Sequence, residues 1–325
     1  FVHDVLEYIV QQTEREGGFA AVPRSRVQEL AQERMEQNAQ TLLETFPDSG
    51  RTGYLLRRTF DEVTQVVDEL YDELSVSAFR PKFCELEFSA RGALPGVAFA
   101  GERCRGVVEG FVDRVDVWQS GGRPYVRVVD YKTGKKSFDY TNVLHGRGLQ
   151  MLLYLFALGH GGGELFGEGL RPGGVEYFPA RAPYLKADAP LDPAEAEEER
   201  AKAFSRSGLF LEDRRVLAAM EPEGLGDRLP VVEKKDGSLT GSLATSEQFR
   251  LLEGYVFHLL ADMVSEIASG SVSPNPYSRG TAHDACRFCP YAPVCHPEKE
   301  AQRRNYRALK AQEFWEQVEK EETHG

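Results

Sequence analysis

Two aspartates and a lysine in neighbouring apolar stretches are suited to metal-dependent chemistry. Asp130 and Lys132 follow Val128 and Val129 in VVDYKTGKK, and Asp113 lies in the preceding stretch GFVDRVD. Carboxylates opposed on an apolar face repel each other and lose hydration, so a divalent cation between them removes both penalties. Oxygen ligands of this kind suit Mg²⁺ or Mn²⁺, and a nearby lysine can stabilise the transition state of phosphodiester hydrolysis.

A glycine turn is predicted to bring the two aspartates together. Residues 111–118 and 125–131 read as strands, and Gly121-Gly122 between them suits a tight turn that requires positive φ. With the glycines at the turn, Asp113 lies directly across from Asp130, with Cβ atoms roughly 4.5–5.5 Å apart. The same face carries Lys132 together with Phe111, Val115, Val126 and Val128, which predicts that this face is buried.

The ordinary interpretation of a D-x-K triplet is a surface ion pair, here between Asp130 and Lys132. A lone triplet favours that interpretation because such triplets are common, whereas the facing Asp113 favours a catalytic one. Pro124 has no backbone N–H to donate, which weakens the hydrogen bonding of the predicted hairpin next to its turn. A register slip of one residue would place the two carboxylates on opposite faces.

The pattern of elements predicts an α/β or α+β fold, with strands and a central helix wrapped by helices at both ends. Apolar periodicity predicts helices over 1–17, 24–46, 56–77, 149–158 and 249–267, and a charged helix from about residue 298. Strands are expected at 83–88, 103–109, 111–118, 125–131 and 174–178. We expect a single domain over 1–325, divided into N-terminal helices (1–80), a core (81–180), an insertion with one short helix (181–245), and a long helix, cysteine cluster and C-terminal helix (246–325).

The composition is that of an ordinary globular protein, with 41% hydrophobic and 28% charged residues. The net charge of -12 counts against a surface that is generally basic, so any nucleic acid is expected in a local cleft. No apolar run approaches the roughly 18 residues of a membrane span, and we expect a cytoplasmic protein. The first residue is Phe1, which leads us to expect a piece of a longer chain.

Three of the five cysteines, Cys286, Cys289 and Cys295, fall in CRFCPYAPVC. This odd count and close spacing indicate an intracellular metal site rather than a disulfide framework. Zinc remains one alternative, with His296 or His283 as the fourth ligand.

The order of GFVDRVD, VVDYKTGKK and QMLLYLFAL resembles the nuclease motifs of RecB-like members of the PD-(D/E)XK superfamily. The opening FVHDVLE resembles the helix that supplies this family's histidine, and CRFCPYAPVC narrows the resemblance to iron–sulfur-containing members. GLFLEDRRVLAAM and NYRAL look like B subunits of AddAB-type helicase–nucleases. The resemblance implies a restriction-endonuclease-like core sheet flanked by helices.

The resemblance also implies roles for individual residues. Lys132 would be the catalytic lysine. Gln150 and Tyr154 match a Q-x-x-x-Y motif that contacts DNA or orders the site, although ordinary helix packing explains Tyr154 equally well. Glu85 in FCELEF matches a family glutamate, and its role stays open. The metal ligands would be Asp113, Asp130 and the backbone carbonyl of Tyr131, and His3 would be a further ligand or would position one. A lone helical histidine would otherwise be read as a surface or cap residue.

The cysteines would be three ligands of a [4Fe–4S] cluster, which usually takes four. The fourth is expected upstream of Phe1; the alternatives are that Cys84 or Cys104 substitutes for it, or that the cluster is incomplete. The implied function is an exonuclease that cuts single-stranded DNA, with the 5′-ended strand preferred, alongside an AddA-type helicase subunit in recombinational repair. Two alternatives remain, namely a non-catalytic DNA- or partner-binding module and a stand-alone nuclease of the CRISPR-adaptation type.

Overall fold

The computed structural model describes residues 1–45, 50–182, 192–280, 283–295 and 303–322. The helices are α1 (Val2–Arg15), α2 (Arg24–Thr45), α3 (Gly50–Val76), α4 (Tyr140–Leu144), α5 (Gln150–Gly161), α6 (Gly163–Phe166), α7 (Pro193–Ala203), α8 (Arg214–Met220), α9 (Ser246–Ala268), α10 (Ala292–Cys295) and α11 (Ala311–Glu322). The strands are β1 (Arg80–Phe88), β2 (Val97–Ala100), β3 (Arg105–Val108), β4 (Gly110–Ser120), β5 (Arg123–Lys132), β6 (Arg171–Pro179), β7 (Ser207–Leu211), β8 (Val231–Glu233), β9 (Leu239–Gly241), β10 (Leu243–Ala244), β11 (Tyr277–Ser278) and β12 (Arg304–Asn305).

A six-stranded mixed sheet in the order β1-β4-β5-β6-β7-β10 forms the centre of the fold. Strands β1, β4 and β5 are antiparallel neighbours, whereas β5 and β6 are parallel. A parallel pair requires a long crossover, and α5 lies within this one. All residues of α5 from Met151 to Leu158 are buried, as expected for a helix that is apolar on every side. The predicted α/β fold with a core sheet flanked by helices is confirmed.

The first three helices build an apolar core against β5 and β6. Leu6 and Ile9 of α1 and Leu70 of α3 are fully buried there, together with Val129 and Tyr131 of β5. The odd-numbered face at the end of β5 is therefore covered by the helices that begin the chain. This packing holds the N-terminus of α1, and with it His3, near the end of β5.

The chain divides into two compact units. The first comprises residues 1–97, 108–138 and 150–249, and it contains the six-stranded sheet. The second comprises residues 98–107, 139–149 and 250–325, and it contains the cysteine motif. Across the residues that the structure describes, no helix is long and apolar enough to cross a membrane.

Two secondary-structure predictions were wrong. Residues 181–245 were expected to hold one short helix, but their described part contains α7, α8 and four strands, of which β7 and β10 extend the central sheet. Polar and glycine-rich flanks hid the short buried stretch Gly208–Leu211 from periodicity. The C-terminal helix begins at Ala311 rather than near residue 298, and Arg304–Asn305 form a strand.

Candidate active site

The β4–β5 hairpin has the predicted register. The ladder runs from Ser120 opposite Arg123 to Arg114 opposite Val129. Gly121 and Gly122 form the turn with φ of 58° and 73°, values that glycine adopts without strain. One further step along this register places residue 113 opposite residue 130, on the same face of the sheet.

Strand β1 adds a third carboxylate to the same row. Cys84 pairs with Arg114 and Leu86 with Val112, so residue 85 falls opposite residue 113. Glu85, Asp113 and Asp130 therefore lie side by side on three neighbouring strands. The sequence left the role of Glu85 open. Its place in FCELEF, within a strand next to the hairpin, was the available signal.

The face that carries the row is buried only in part. Val115, Val126 and Val128 are fully buried, as predicted, but Phe111 is 53% exposed. The prediction for Phe111 was wrong because this residue lies at the open end of the hairpin, where β5 ends at Lys132 and little covers its side chain. The row of acids thus lies at the boundary between the core and solvent.

His3, Glu85 and Asp113 form a candidate site for a divalent cation, because their ligand atoms all lie within 4.8 Å of one another. His3 Nδ1 is 3.5 Å from Asp113 Oδ2. The backbone N–H of Tyr131 donates to that same oxygen at 2.7 Å. Two carboxylates and an imidazole are donors that suit Mn²⁺, and carboxylates also suit Mg²⁺, so the residues present fit such an ion.

Glu85 adopts an unusual backbone conformation, with φ of 49°. A non-glycine residue in the left-handed region costs of order 1–3 kcal/mol and is characteristic of functional positions. Burial raises the pKa of the Glu85 carboxyl, and the charges of Asp113 and Glu7 raise it further. A cation at this position would relieve the repulsion between Glu85 and Asp113.

Asp130 and Lys132 form a close ion pair. The pair is not the surface contact that a lone D-x-K would suggest, because Asp130 is only 5% exposed. The pKa of Asp130 is raised overall. Desolvation and the charge of Asp113 raise it by more than the hydrogen bond from Lys132 lowers it. Asp130 is close enough to Asp113 and His3 for their charges to act on it, while the Lys132 side chain is 31% exposed and lies at the edge of the site.

A buried ionic cluster, which sequence reasoning missed, lies on the opposite face of β4 and β5. Arg114 binds Asp116 with Nε–Oδ1 at 2.8 Å, and its Nη1 donates to the Tyr131 hydroxyl at 3.0 Å. The alternation of Asp113, Arg114 and Asp116 in GFVDRVD was the available signal, since Arg114 and Asp116 share the face opposite Asp113. The cluster comprises Glu73, Arg114, Asp116, Arg127, Glu176 and Arg206.

Gln150 and Tyr154 interact with each other on α5, with Gln150 Nε2 donating to Tyr154 Oη at 3.0 Å. The Tyr154 ring is buried and stacks on Phe88 with centroids 5.6 Å apart. A Cβ atom at Gly110 would lie 2.4 Å from Tyr154 Oη, so glycine is needed where β4 begins. The tyrosine packs α5 against the sheet, and the exposed Gln150 is the member that a ligand could reach.

Cys286, Cys289 and Cys295 lie near one another in the second unit. The pKa of Cys286 is raised by desolvation and then by the thiols of Cys289 and Cys295. Cys104 is in the same unit, whereas Cys84 belongs to β1 of the first unit, where burial raises its pKa to about 12. His296, one proposed zinc ligand, lies outside the described residues.

Comparison with known proteins finds relatives over most of the chain. The profile of the PD-(D/E)XK nuclease superfamily matches residues 1–296. A Moorella thermoacetica protein, named as the B subunit of an ATP-dependent helicase/deoxyribonuclease, is 36% identical over 271 residues, 82% of this chain and 24% of that protein. A protein of the same name from Pelotomaculum thermopropionicum is 34% identical over 95% of this chain and 27% of that protein. Another, from Clostridium botulinum, is 28% identical over 98% of this chain and 29% of that protein. The chain spans about a quarter of these curated relatives.

Proposed function

This chain belongs to the PD-(D/E)XK nuclease superfamily, and from that premise we propose that it is a metal-dependent deoxyribonuclease domain of a helicase–nuclease. The row formed by Glu85, Asp113 and Asp130, with Lys132 at its end, is the observation that supports the proposal best. A binding platform would have no reason to place three partly buried carboxylates on adjacent strands, because each loses hydration there.

The proposed roles follow from the positions of the side chains. His3, Glu85 and Asp113 hold Mg²⁺ or Mn²⁺, with Asp130 and the carbonyl of Tyr131 as neighbouring oxygen donors. A bound divalent cation supplies Lewis-acid polarisation of the phosphate and a more acidic water. Lys132 contributes a positive charge beside the scissile phosphate, where it stabilises developing negative charge. Gln150, at the first turn of α5, orders the substrate.

We further propose a cellular setting, for which the names of the relatives support a helicase partner and a DNA substrate and the resemblance of the sequence motifs suggests the rest. The domain acts on single-stranded DNA, with the 5′-ended strand preferred, as an AddA-type helicase partner unwinds a broken end in the cytoplasm. The degradation is exonucleolytic and supports recombinational repair. Cys286, Cys289 and Cys295 hold a [4Fe–4S] cluster that ties the C-terminal segment in place, because metal binding becomes folding free energy.

Cleavage by the purified protein tests the proposal. Labelled single-stranded DNA is incubated with the wild type, Asp130→Asn and Asp236→Asn in Mg²⁺. Asp236 lies in the exposed turn between β8 and β9, so its variant controls for the loss of one carboxylate. We expect Asp130→Asn to lose more activity than the roughly 10–100-fold typical of residues that only support a metal ligand. Undiminished cleavage by a folded Asp130→Asn would end the assignment.

A further inference from the structure

We propose that the cleft beside Lys132 binds the backbone of a single nucleic-acid strand on one side of the scissile bond. The inference rests on the proposed function, which it deepens by assigning a path to the substrate. The cleft has a volume of about 630 Å³ and lies entirely within the first compact unit. It is formed by the loop after β5, the end of β6 and the residues that flank β7.

The charge of the cleft is opposite to that of the whole chain. Among the residues that the structure describes, its lining carries five cationic side chains and no acidic one, although the chain has 51 acidic and 39 basic residues. A local basic groove in an acidic protein concentrates polyanions at that place, because field lines focus in a cleft with low-dielectric walls. The five cations are Lys132, Lys135, Lys136, Arg181 and Lys202.

Lys135 and Lys136 are the cations most available to a ligand. Both are exposed, and neither forms an ion pair with a carboxylate of the described residues. Lys136 Nζ lies 5.9 Å from the centre of the Tyr177 ring. By contrast, Lys202 already pairs with two glutamates of α7, and Arg181 lies 3.8 Å from Glu62. Lys135 and Lys136 are therefore the residues to substitute in a test of the proposal.

The hydroxyl groups of the lining complete a surface for phosphates. Thr133, Ser137, Ser205 and Ser207 lie in the same cleft. Hydroxyl and lysine donors contact phosphate oxygens without reading base sequence. The lining therefore suits the sugar–phosphate backbone of a nucleic acid, whatever its base sequence.

The cleft and the carboxylate row meet at one residue. Lys132 lines the cleft and pairs with Asp130, and Tyr177 of the lining lies opposite Asp130 in the β5–β6 register. From this point the cleft extends toward β6 and β7, whereas Asp113 and Glu85 lie on β4 and β1. A strand with its scissile phosphate at the row therefore places the nucleotides of one flank, and not the other, along Lys135 and Lys136.

The size of the cleft favours a single strand. About 630 Å³ falls within the roughly 300–1,000 Å³ of pockets that hold drug-sized ligands. Such a space accommodates a short run of nucleotides of one strand. Cations along a groove that follows one backbone are also the usual arrangement for sequence-independent binding of single strands.

Salt-dependent binding tests the cleft. Fluorescence anisotropy of a labelled oligothymidylate is measured without divalent cation, between about 50 and 200 mM salt, for wild type and for the double variant Lys135→Ala/Lys136→Ala. Each lost phosphate contact reduces the slope of log K against log salt by about 0.7 for single strands, so two lost contacts reduce it by about 1.4. The matched control is Lys234→Ala/Lys235→Ala, which removes two adjacent exposed lysines from the β8–β9 turn.

The expected result is a shallower slope for the Lys135/Lys136 variant and a wild-type slope for the control. Equal slopes for the two double variants would overturn the proposal, as would an equal loss for a duplex of the same length. Cleavage of the same oligonucleotide in Mg²⁺ is measured in parallel. If the wild type binds as expected but does not cut, the proposed nuclease function fails while the cleft remains. If it cuts with slopes unaffected by the substitutions, only the cleft assignment fails.

Discussion

The backbone N–H of Tyr131 donates a 2.7 Å hydrogen bond to Oδ2 of Asp113, the oxygen that also lies 3.5 Å from His3 Nδ1. The side chain of Tyr131 points the other way and accepts from Arg114 at 3.0 Å. One residue thus joins the candidate metal site to the buried ionic cluster. The contact with Asp113 is made by the main chain of Tyr131, and the contact with the cluster is made by its side chain.

Replacing Tyr131 with phenylalanine should lower stability with little effect on metal binding. The change leaves Nη1 of the buried Arg114 without this acceptor, which costs about 1.5–3 kcal/mol for a bond to a charged group. The backbone N–H and carbonyl remain. Tyr71→Phe is the control, because it removes a neutral hydrogen bond to the Val22 carbonyl that is worth about 0.5–1.5 kcal/mol.

Urea denaturation gives the free energies of unfolding for both tyrosine variants, and calorimetric titration with Mn²⁺ gives the metal affinity. A tenfold or greater loss of Mn²⁺ affinity in Tyr131→Phe, at about 1.4 kcal/mol per factor of ten, would contradict the assignment of a purely main-chain role.

Replacing Glu85 with glycine should relieve backbone strain in β1 while it weakens metal binding. Glu85→Gly removes a carboxylate of the candidate site but relieves a backbone strain of order 1–3 kcal/mol, because the native φ is 49°. Glu87→Gly, in the same strand, gains no such relief and carries only the roughly 0.5–1 kcal/mol entropic cost of glycine and the loss of a bond to Ser89.

We therefore expect Glu85→Gly to unfold at a higher temperature than Glu87→Gly and to bind Mn²⁺ more weakly. Thermal denaturation with and without Mn²⁺ measures both effects. The reverse order of melting temperatures in the absence of metal would show that the left-handed conformation of residue 85 is not strained.

Glu176 should make stability fall as pH rises from about 4.5 to 6. Desolvation raises the pKa of its carboxyl from 4.5 to about 6, although Arg127 lowers it, and its Oε1 accepts no hydrogen bond from the described residues. Across that window the unfolded chain releases a proton that the folded chain retains, which costs the folded state on the order of 2 kcal/mol. Glu176→Gln should lose this decline.

The contrasting variant is Glu73→Gln. The charges of Arg127, Arg206 and Arg114 outweigh desolvation and hold the pKa of Glu73 well below its ordinary value, so its ionised form stabilises the fold above pH 4.5 and that stability is lost as pH falls. Removing this charge leaves buried arginines uncompensated, at a cost of about 3–5 kcal/mol. Denaturation curves at pH 4.5 and 7 measure both variants. A Glu176→Gln protein that keeps the wild-type decline would disprove the assignment.

The cysteine motif should bind iron and sulfide. Elemental analysis and the absorbance spectrum of anaerobically purified protein are compared for wild type, Cys289→Ser and Cys104→Ser. We expect iron to be lost only in Cys289→Ser, because Cys289 neighbours Cys286 whereas Cys104 contacts the Val264 carbonyl. Zinc in place of iron would contradict the cluster assignment and favour the alternative that the spacing leaves open.

The sequence predicted the hairpin register because Gly121-Gly122 permits one turn, and that turn dictates which residues face each other. It missed β10, because two residues carry no periodicity and their place depends on Phe210 and Leu211 of β7. It also missed the ionic cluster. Glu73, Glu176 and Arg206 are far apart in the chain, and only the folded sheet brings them to Arg114 and Arg127.

The bent backbone at Glu85 has a second consequence, for association between molecules. Strand β1 is an end strand of the sheet, and unpaired edges invite strands of other chains to add. Its register shifts between Pro81 and Phe83, and the left-handed conformation at residue 85 follows shortly after. Proline, an irregular register and a left-handed residue each disturb the regular ladder that an added strand needs, so the backbone conformation of the residue proposed to bind metal also makes this outer strand a poorer template for another chain.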